Sequence, residues 1–191
     1  MKFNKSQLIA FLLMLIAAVL YRAMPGRPWG FAPQWSIALF SGAMFVNDKK
    51  WAFVFPLLSL LCSDAIYQVL FLNGWFPMPG FYGGQWFNYL LFISVAFFGF
   101  FMQSQKPFQV IAASLAAPTY FFLVSNFFVW LGGGGFHHPK TLSGLLATYL
   151  DGIPFYINSL ISTIIFSCIL FSTFFLLSKK RAEQLSGVVA K

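Results

Sequence analysis

A chain of 191 residues that is 59% hydrophobic and only 8% charged departs far from the roughly 25% charged composition of soluble domains. That excludes a water-soluble globular protein and points to an integral membrane protein. The net charge of +8 comes from basic residues standing singly or in short clusters between apolar runs, so it reads as membrane orientation and excludes a nucleic-acid-binding domain.

A spanning helix needs about 20 mostly apolar residues, and six segments approach this: about 6–22, 32–47, 51–72, 86–102, 108–131 and 155–178. The first follows Lys2 and Lys5 and has no small-x-small cleavage site before Arg22, so it reads as a retained helix rather than a signal peptide. The second is short and interrupted by Gln34, Ser36, Ser41 and Gly42. Trp29, Trp35, Trp51, Trp75, Trp86 and Trp130 fall at or near the ends of the runs, where amphipathic rings favour the bilayer interface. Cys62 and Cys168 lie in apolar stretches without CxxC or Cys/His spacing, so they read as buried small hydrophobes with neither a disulfide framework nor a zinc site. The expected fold is all-α: a polytopic membrane helix bundle forming one transmembrane domain over 1–178, followed by a basic cytoplasmic tail over 179–191.

A cytoplasmic N-terminus places Lys2, Lys5, Lys49, Lys50, Lys106, Lys179, Lys180, Arg181 and Lys191 inside, and Arg22, Arg27 and Lys140 outside. This bias satisfies the positive-inside rule, with both termini cytoplasmic in a bacterial inner membrane. Two external connections are long. Residues 73–85 carry no charge and are rich in Gly, Pro and aromatics. The other starts with Gly132 to Gly135, passes His137 and His138, and continues from Thr141 as a possible N-cap into Leu142, Leu145, Leu146, Tyr149 and Leu150. That stripe predicts a short amphipathic helix in the last external loop, packed on its neighbours or closing over a cavity.

Asp64 is the acidic side chain inside these apolar runs, where a carboxylate costs roughly 2.5–3.5 kcal/mol on insertion scales and so faces the bundle interior with a partner. Tyr67 and Gln68 share its helix face. Asn126 and Trp130 are four apart in the outer half of the fifth segment, while Tyr156 and Asn158 enter from the same side at the start of the sixth. Arg22 and Arg27 are the natural counter-ions for Asp64. The expected substrate-binding set is Arg27, Asp64, Tyr67, Asn126, Trp130, Tyr156 and Asn158, around an outward-facing pocket for a small molecule. On the cytoplasmic side, Ala38-x-x-x-Gly42, Ala112-x-x-x-Ala116 and Ala113-x-x-x-Ala117 predict close helix packing.

The stretches Arg22 to Pro28, Pro56 to Asp64 and Phe121 to Trp130, with their Arg-Pro, Ser-Asp and Ser-Asn-Phe-x-x-Trp elements, resemble an uncharacterised bacterial family of small transport-type proteins, a domain of unknown function. More distantly, the size, six-helix plan and external polar cluster resemble the substrate-binding S components of energy-coupling-factor transporters. That resemblance implies substrate capture and docking on an energising membrane and ATPase module. No GxxxxGK[ST] motif is present, so any ATP use falls to a partner.

The leading expectation is therefore a small-molecule transporter or substrate-capture subunit in contact with the lipid bilayer, without cofactor or metal and without enzymatic activity. A second reading is a structural or assembly protein whose polar groups only pack helices, leaving no cavity. A membrane enzyme built on His137, His138 and Asp151 is the third. It lacks HExxH spacing and any GxSxG nucleophile.

Overall fold

Buried backbone N–H and C=O groups must be satisfied within the segment when no water reaches them, and the described residues of this chain do so with helices. The computed structural model describes residues 12, 15–21, 24, 26–102 and 106–189, with side chains through Lys179. Among them there is no strand. Residues 15–21 are helical, and six complete helices follow: α1 (Gln34–Met44), α2 (Lys49–Leu72), α3 (Gln85–Ser94), α4 (Ala96–Phe100), α5 (Pro107–Gly132) and α6 (Leu142–Val189).

Lys49–Leu72, Pro107–Gly132 and Leu142–Lys179 are long and apolar enough to cross a membrane. At 1.5 Å per residue even the shortest, α2 with 24 residues, reaches about 36 Å against a hydrocarbon core of about 30 Å. The chain is a membrane protein with an all-helical fold. The expectation of six spans is corrected, since three helices meet the requirement among the described residues. Most of 6–22 lies outside them. The 32–47 segment yields only the eleven residues of α1, about 16 Å long. The 86–102 segment breaks at Val95, where Val95 N–H donates to Phe92 O at 3.0 Å and Phe98 N–H to Val95 O at 3.1 Å. These tight three-residue bonds end α3 and start α4.

Helix α1 is short because it forms the centre. Its Ser36, Ala38, Leu39 and Ser41 are completely buried, and it packs against α2, α3, α4, α5 and α6. Gly42 explains how α4 comes so close: a Cβ there would lie 2.1 Å from Ala96 O, and one on Gly99 would lie 2.4 Å from Leu39 O. The Ala38-x-x-x-Gly42 pair thus packs inside the bundle, as does Ala113-x-x-x-Ala117, whereas Ala112 and Ala116 are exposed. Small hydroxyls join α1 to α6: Ser36 Oγ donates to Thr163 O at 3.0 Å and Ser167 Oγ donates to Ser36 Oγ at 3.2 Å. Such bonds hold helices together where lipid removes the hydrophobic drive between them.

Helix α5 starts with Pro107 at its first position and stops at Gly133, whose φ of 72° is the left-handed geometry glycine supplies without strain. Helix α6 begins after Thr141, whose Oγ1 accepts from Gly144 N–H at 3.2 Å as an N-cap should. The separate amphipathic helix expected after Thr141 does not exist. Residues 142–150 are the first turns of α6, which continues past Pro154 and through Val189. Its inward face is the small one. Gly144, Thr148 and Gly152 are buried, while Leu142, Leu146 and Leu150 point outward. The apolar stripe therefore meets the surroundings, because against lipid a helix packs best through its smallest residues. Neither cysteine is buried: Cys62 is partly covered and Cys168 exposed, both as free thiols.

Candidate functional site

Between the C-terminal half of α2, the N-terminus of α3 and the loop before α1 lies a cavity of about 550 Å³, lined by Arg27, Trp29, Gln34, Trp35, Asp64, Tyr67, Phe76, Gln85, Asn88, Tyr89 and Phe121 among others. This is the size range of small-molecule sites. Asp64 forms part of its wall and is only 2% exposed. Gln85 Nε2 donates to Asp64 Oδ2 at 2.7 Å, and Tyr89 Oη donates to the same oxygen at 2.6 Å. Gln85 and Tyr89 stand one helical turn apart on α3, so a single helix face delivers both donors.

The loop over 73–84 is fastened down by the same groups. Gln85 Nε2 also donates to Gly80 O at 3.0 Å, and Gln85 Oε1 accepts from Tyr82 N–H at 3.1 Å. Gln68 Oε1, from α2, accepts from Gly80 N–H at 3.0 Å and Phe81 N–H at 3.2 Å. Gly80 sits so near α2 that a Cβ would fall 1.9 Å from Asp64 O. Polar atoms of Gln68 and Gln85 thereby pin an uncharged loop across the cavity's rim.

Arg27 also lines the cavity. Its Nη1 donates to Phe31 O at 2.7 Å and its Nη2 to Tyr67 Oη at 3.3 Å, while the Tyr67 ring packs on Phe76 at 4.7 Å. The loop carrying Arg27 is tied to α6: Asn158 Nδ2 donates to Trp29 O at 2.9 Å and Ser159 Oγ donates to Gly30 O at 3.0 Å. A Cβ on Gly30, whose φ is +81°, would lie 2.3 Å from Phe155 O, so glycine is required both by conformation and by space.

Trp35 forms the cavity's apolar centre. It contacts Phe92 at 4.7 Å and Phe121 at 4.4 Å, joining α1, α3 and α5, and so it is not the interfacial ring expected of it. Trp29, Trp75 and Trp86 are the widely exposed indoles. Beside Trp35, Gln34 is 3% exposed, and neither its Nε2 nor its Oε1 has a hydrogen-bond partner. An unpaired buried amide group costs about 1–3 kcal/mol.

Of the seven residues expected at the site, Arg27, Asp64 and Tyr67 line this cavity. Asn126 and Tyr156 line a second one of about 270 Å³ that shares Gly30, Trp35, Phe121 and Ser125 with the first. There Asn126 Nδ2 donates to Phe122 O at 2.8 Å, and Tyr156 stacks on Phe122 at 4.5 Å with its hydroxyl 2.8 Å from Thr119 Oγ1. Trp130 and Asn158 line neither. Trp130 Nε1 donates to Pro139 O at 3.0 Å, and Asn158 positions the Trp29 loop. Arg22, the other expected counter-ion, lies outside the described residues.

Gln34, Gln85 and Tyr89 were missed. Gln34 carried a signal, a long polar amide inside an apolar run, but it registers as a weakness of the span rather than as a site. Gln85 and Tyr89 are four apart in sequence, a spacing that places them on one face without revealing that Asp64 lies opposite.

His137 and His138 line neither cavity. His138 Nε2 lies 2.6 Å from Asp151 Oδ2 in a partly exposed pair, and His137 Nδ1 bonds Gly133 O. Among the described residues no group of three His, Cys, Asp or Glu side chains comes together as a metal site.

A family model described as a family of unknown function (DUF6580) matches residues 2–185. The chain belongs to this family. The match covers every residue that lines the two cavities. No curated protein and no solved structure matches the chain.

Proposed function

We propose that this protein captures a small molecule in the 550 Å³ cavity beside Asp64 and serves transport across the bacterial inner membrane. The observation that carries the reading is the open, largely apolar cavity itself, with the Asp64 carboxylate set in its wall. A purely structural network would be expected to pack closed around its polar groups rather than leave such a space. Asp64, held from one side by Gln85 and Tyr89, supplies a fixed acceptor, and intramembrane carboxylates commonly mark substrate or ion pathways.

Orientation follows from charge. Lys49 and Lys50 begin α2, Lys106 precedes α5 and Lys179 lies far along α6, so these ends face the cytoplasm. The cavity, at the Leu72 end of α2, then opens outward. Cargo release and energy would come from a partner module, as in the S components that the sequence resembles.

The test is thermal stability of the purified protein against vitamins, nucleobases, amino acids and metal ions, for wild type, Asp64→Asn and Tyr89→Phe. A ligand at 100 times its Kd stabilises by about 2.7 kcal/mol. Stabilisation of wild type that shrinks in both variants supports capture. If no compound stabilises any form, the cavity is a packing feature and the reading fails.

A further inference from the structure

Resting on the capture reading and the orientation above, we infer that the cargo is a membrane-borne amphiphile drawn from the outer leaflet: one apolar ring or short chain lodged among the aromatic walls, with an oxygen acceptor as its head. Several residues that line the cavity also reach the surface, and their bodies are apolar. Trp29 is 58% exposed, Met78 52% and Tyr82 53%. Met78 and Tyr82 belong to the 73–84 loop, which carries no charge over its whole length. Leu72, Trp75 and Trp86, around that loop, stand more open still. Apolar surface of this kind marks a membrane or binding face, and Trp and Tyr favour the headgroup level of a bilayer. Since the loop follows the Leu72 end of α2, the cavity meets the outer leaflet rather than open water.

The lining selects the body of the ligand. Trp35 touches Phe92 and Phe121, and Tyr67 packs on Phe76, surfaces that suit rings and slim chains. A volume of about 550 Å³ lies in the range of single drug-sized ligands, so it admits one ring system or one short chain rather than a two-chain lipid.

The head is selected by donors. Of the two charged residues in the lining, Asp64 is 2% exposed whereas Arg27 is partly exposed, so the charge a ligand meets is positive. Tyr82 Oη accepts from Asn88 Nδ2 at 2.7 Å at the protein surface, and among the described residues no acceptor takes its own hydroxyl proton. A carboxylate or alcohol oxygen accepts from such groups. A quaternary ammonium accepts from neither and is repelled by Arg27.

The experiment follows tryptophan fluorescence of the full-length protein in nanodiscs as three bromine-tipped amphiphiles of equal chain length are added: ω-bromoundecanoate, ω-bromoundecanol and ω-bromoundecyltrimethylammonium. Bromine quenches an indole only near contact, so a bound tail reports on Trp35, while probe dissolved in the surrounding lipid gives quenching that rises without saturating. The acid or the alcohol is expected to show a saturable component that is lost in Trp35→Phe, and to bind about tenfold or more tightly than the ammonium. Tyr82→Phe should weaken it by about threefold or more. Arg27→Gln should weaken the acid by about tenfold, with Arg27→Lys restoring most of the loss. If Trp35→Phe does not fold, displacement of the saturable quenching by unbrominated undecanoate identifies the bound probe in wild type. If Arg27→Gln does not fold, the comparison of heads on wild type decides.

Binding of the ammonium as tight as that of the acid and alcohol overturns the inference, because aromatic walls acting alone would favour the cation. So does quenching that never saturates while a water-soluble compound from the vitamin, nucleobase, amino-acid and metal-ion panel stabilises the protein, an outcome that leaves capture standing. Failure of the amphiphiles and of that panel removes capture and the inference together.

Discussion

Tyr89 Oη and Gln85 Nε2 converge on the same oxygen of Asp64, with the tyrosine 2.6 Å away and the amide at 2.7 Å. This joins α2 to α3 through one buried acceptor, at the point where the cavity begins. Removing either donor should therefore loosen a helix contact as well as alter the site.

Tyr89→Phe deletes only the hydroxyl and is expected to destabilise the protein by about 1–3 kcal/mol, measured by denaturation in detergent. Combined with Asp64→Asn, the losses should fall short of additivity by about 0.5–3 kcal/mol, because both changes act on the same bond. Strict additivity would mean that the two groups do not depend on one another.

Gly80→Ala should lift the 73–84 loop, since its methyl would meet Asp64 O at 1.9 Å and Gln68 N at 2.5 Å. We expect a loss of about 1–3 kcal/mol and faster thiol labelling of a Met78→Cys reporter at the rim. Gly83→Ala is the control, with nothing within 4 Å of its added Cβ. If the two alanines behave alike, the loop is not held by close approach.

The Gly42–Gly99 contact makes a similar prediction for the core. Gly42→Val places its Cβ 2.1 Å from Ala96 O in a completely buried helix junction. Loss of folded protein, or a drop of about 3 kcal/mol or more, is expected by size-exclusion profile and thermal melt. A near-neutral valine would require α4 to move away from α1 freely.

His138→Ala should cost at most about 1 kcal/mol, the range of exposed ion pairs, because His138 and Asp151 are both partly solvent-accessible. It should leave ligand-induced stabilisation unchanged. A large loss of ligand response would instead draw this pair into the functional site and reopen the enzyme reading.

Orientation can be read from two positions. A cysteine replacing Lys140, introduced after Cys62 and Cys168 are exchanged for alanine, should react in intact cells with a membrane-impermeant maleimide. One replacing Lys179 should react only after the cells are opened. The reverse pattern would place the cavity on the cytoplasmic side.

The sequence by itself determined the membrane class and the helices that span by their own length. Apolar run length fixes these without reference to any neighbour, so 51–72 and 108–131 emerge within a few residues as α2 and α5. It also singled out Asp64, since the cost of a carboxylate among apolar residues is legible from one position. What surrounds Asp64 was decided only by tertiary structure. Two of its donors come from another helix, 21 and 25 residues away in sequence, and one-dimensional periodicity says which face a residue occupies but not what lies opposite. The same limit explains α1, read as a weak span and found as the central helix, because burial all round and exposure to lipid both call for apolar residues. It explains α6 as well. There hydrophobic Leu142, Leu146 and Leu150 face outward and Gly144 and Gly152 face inward, since beside lipid it is close packing of small side chains, rather than escape from water, that chooses the buried side.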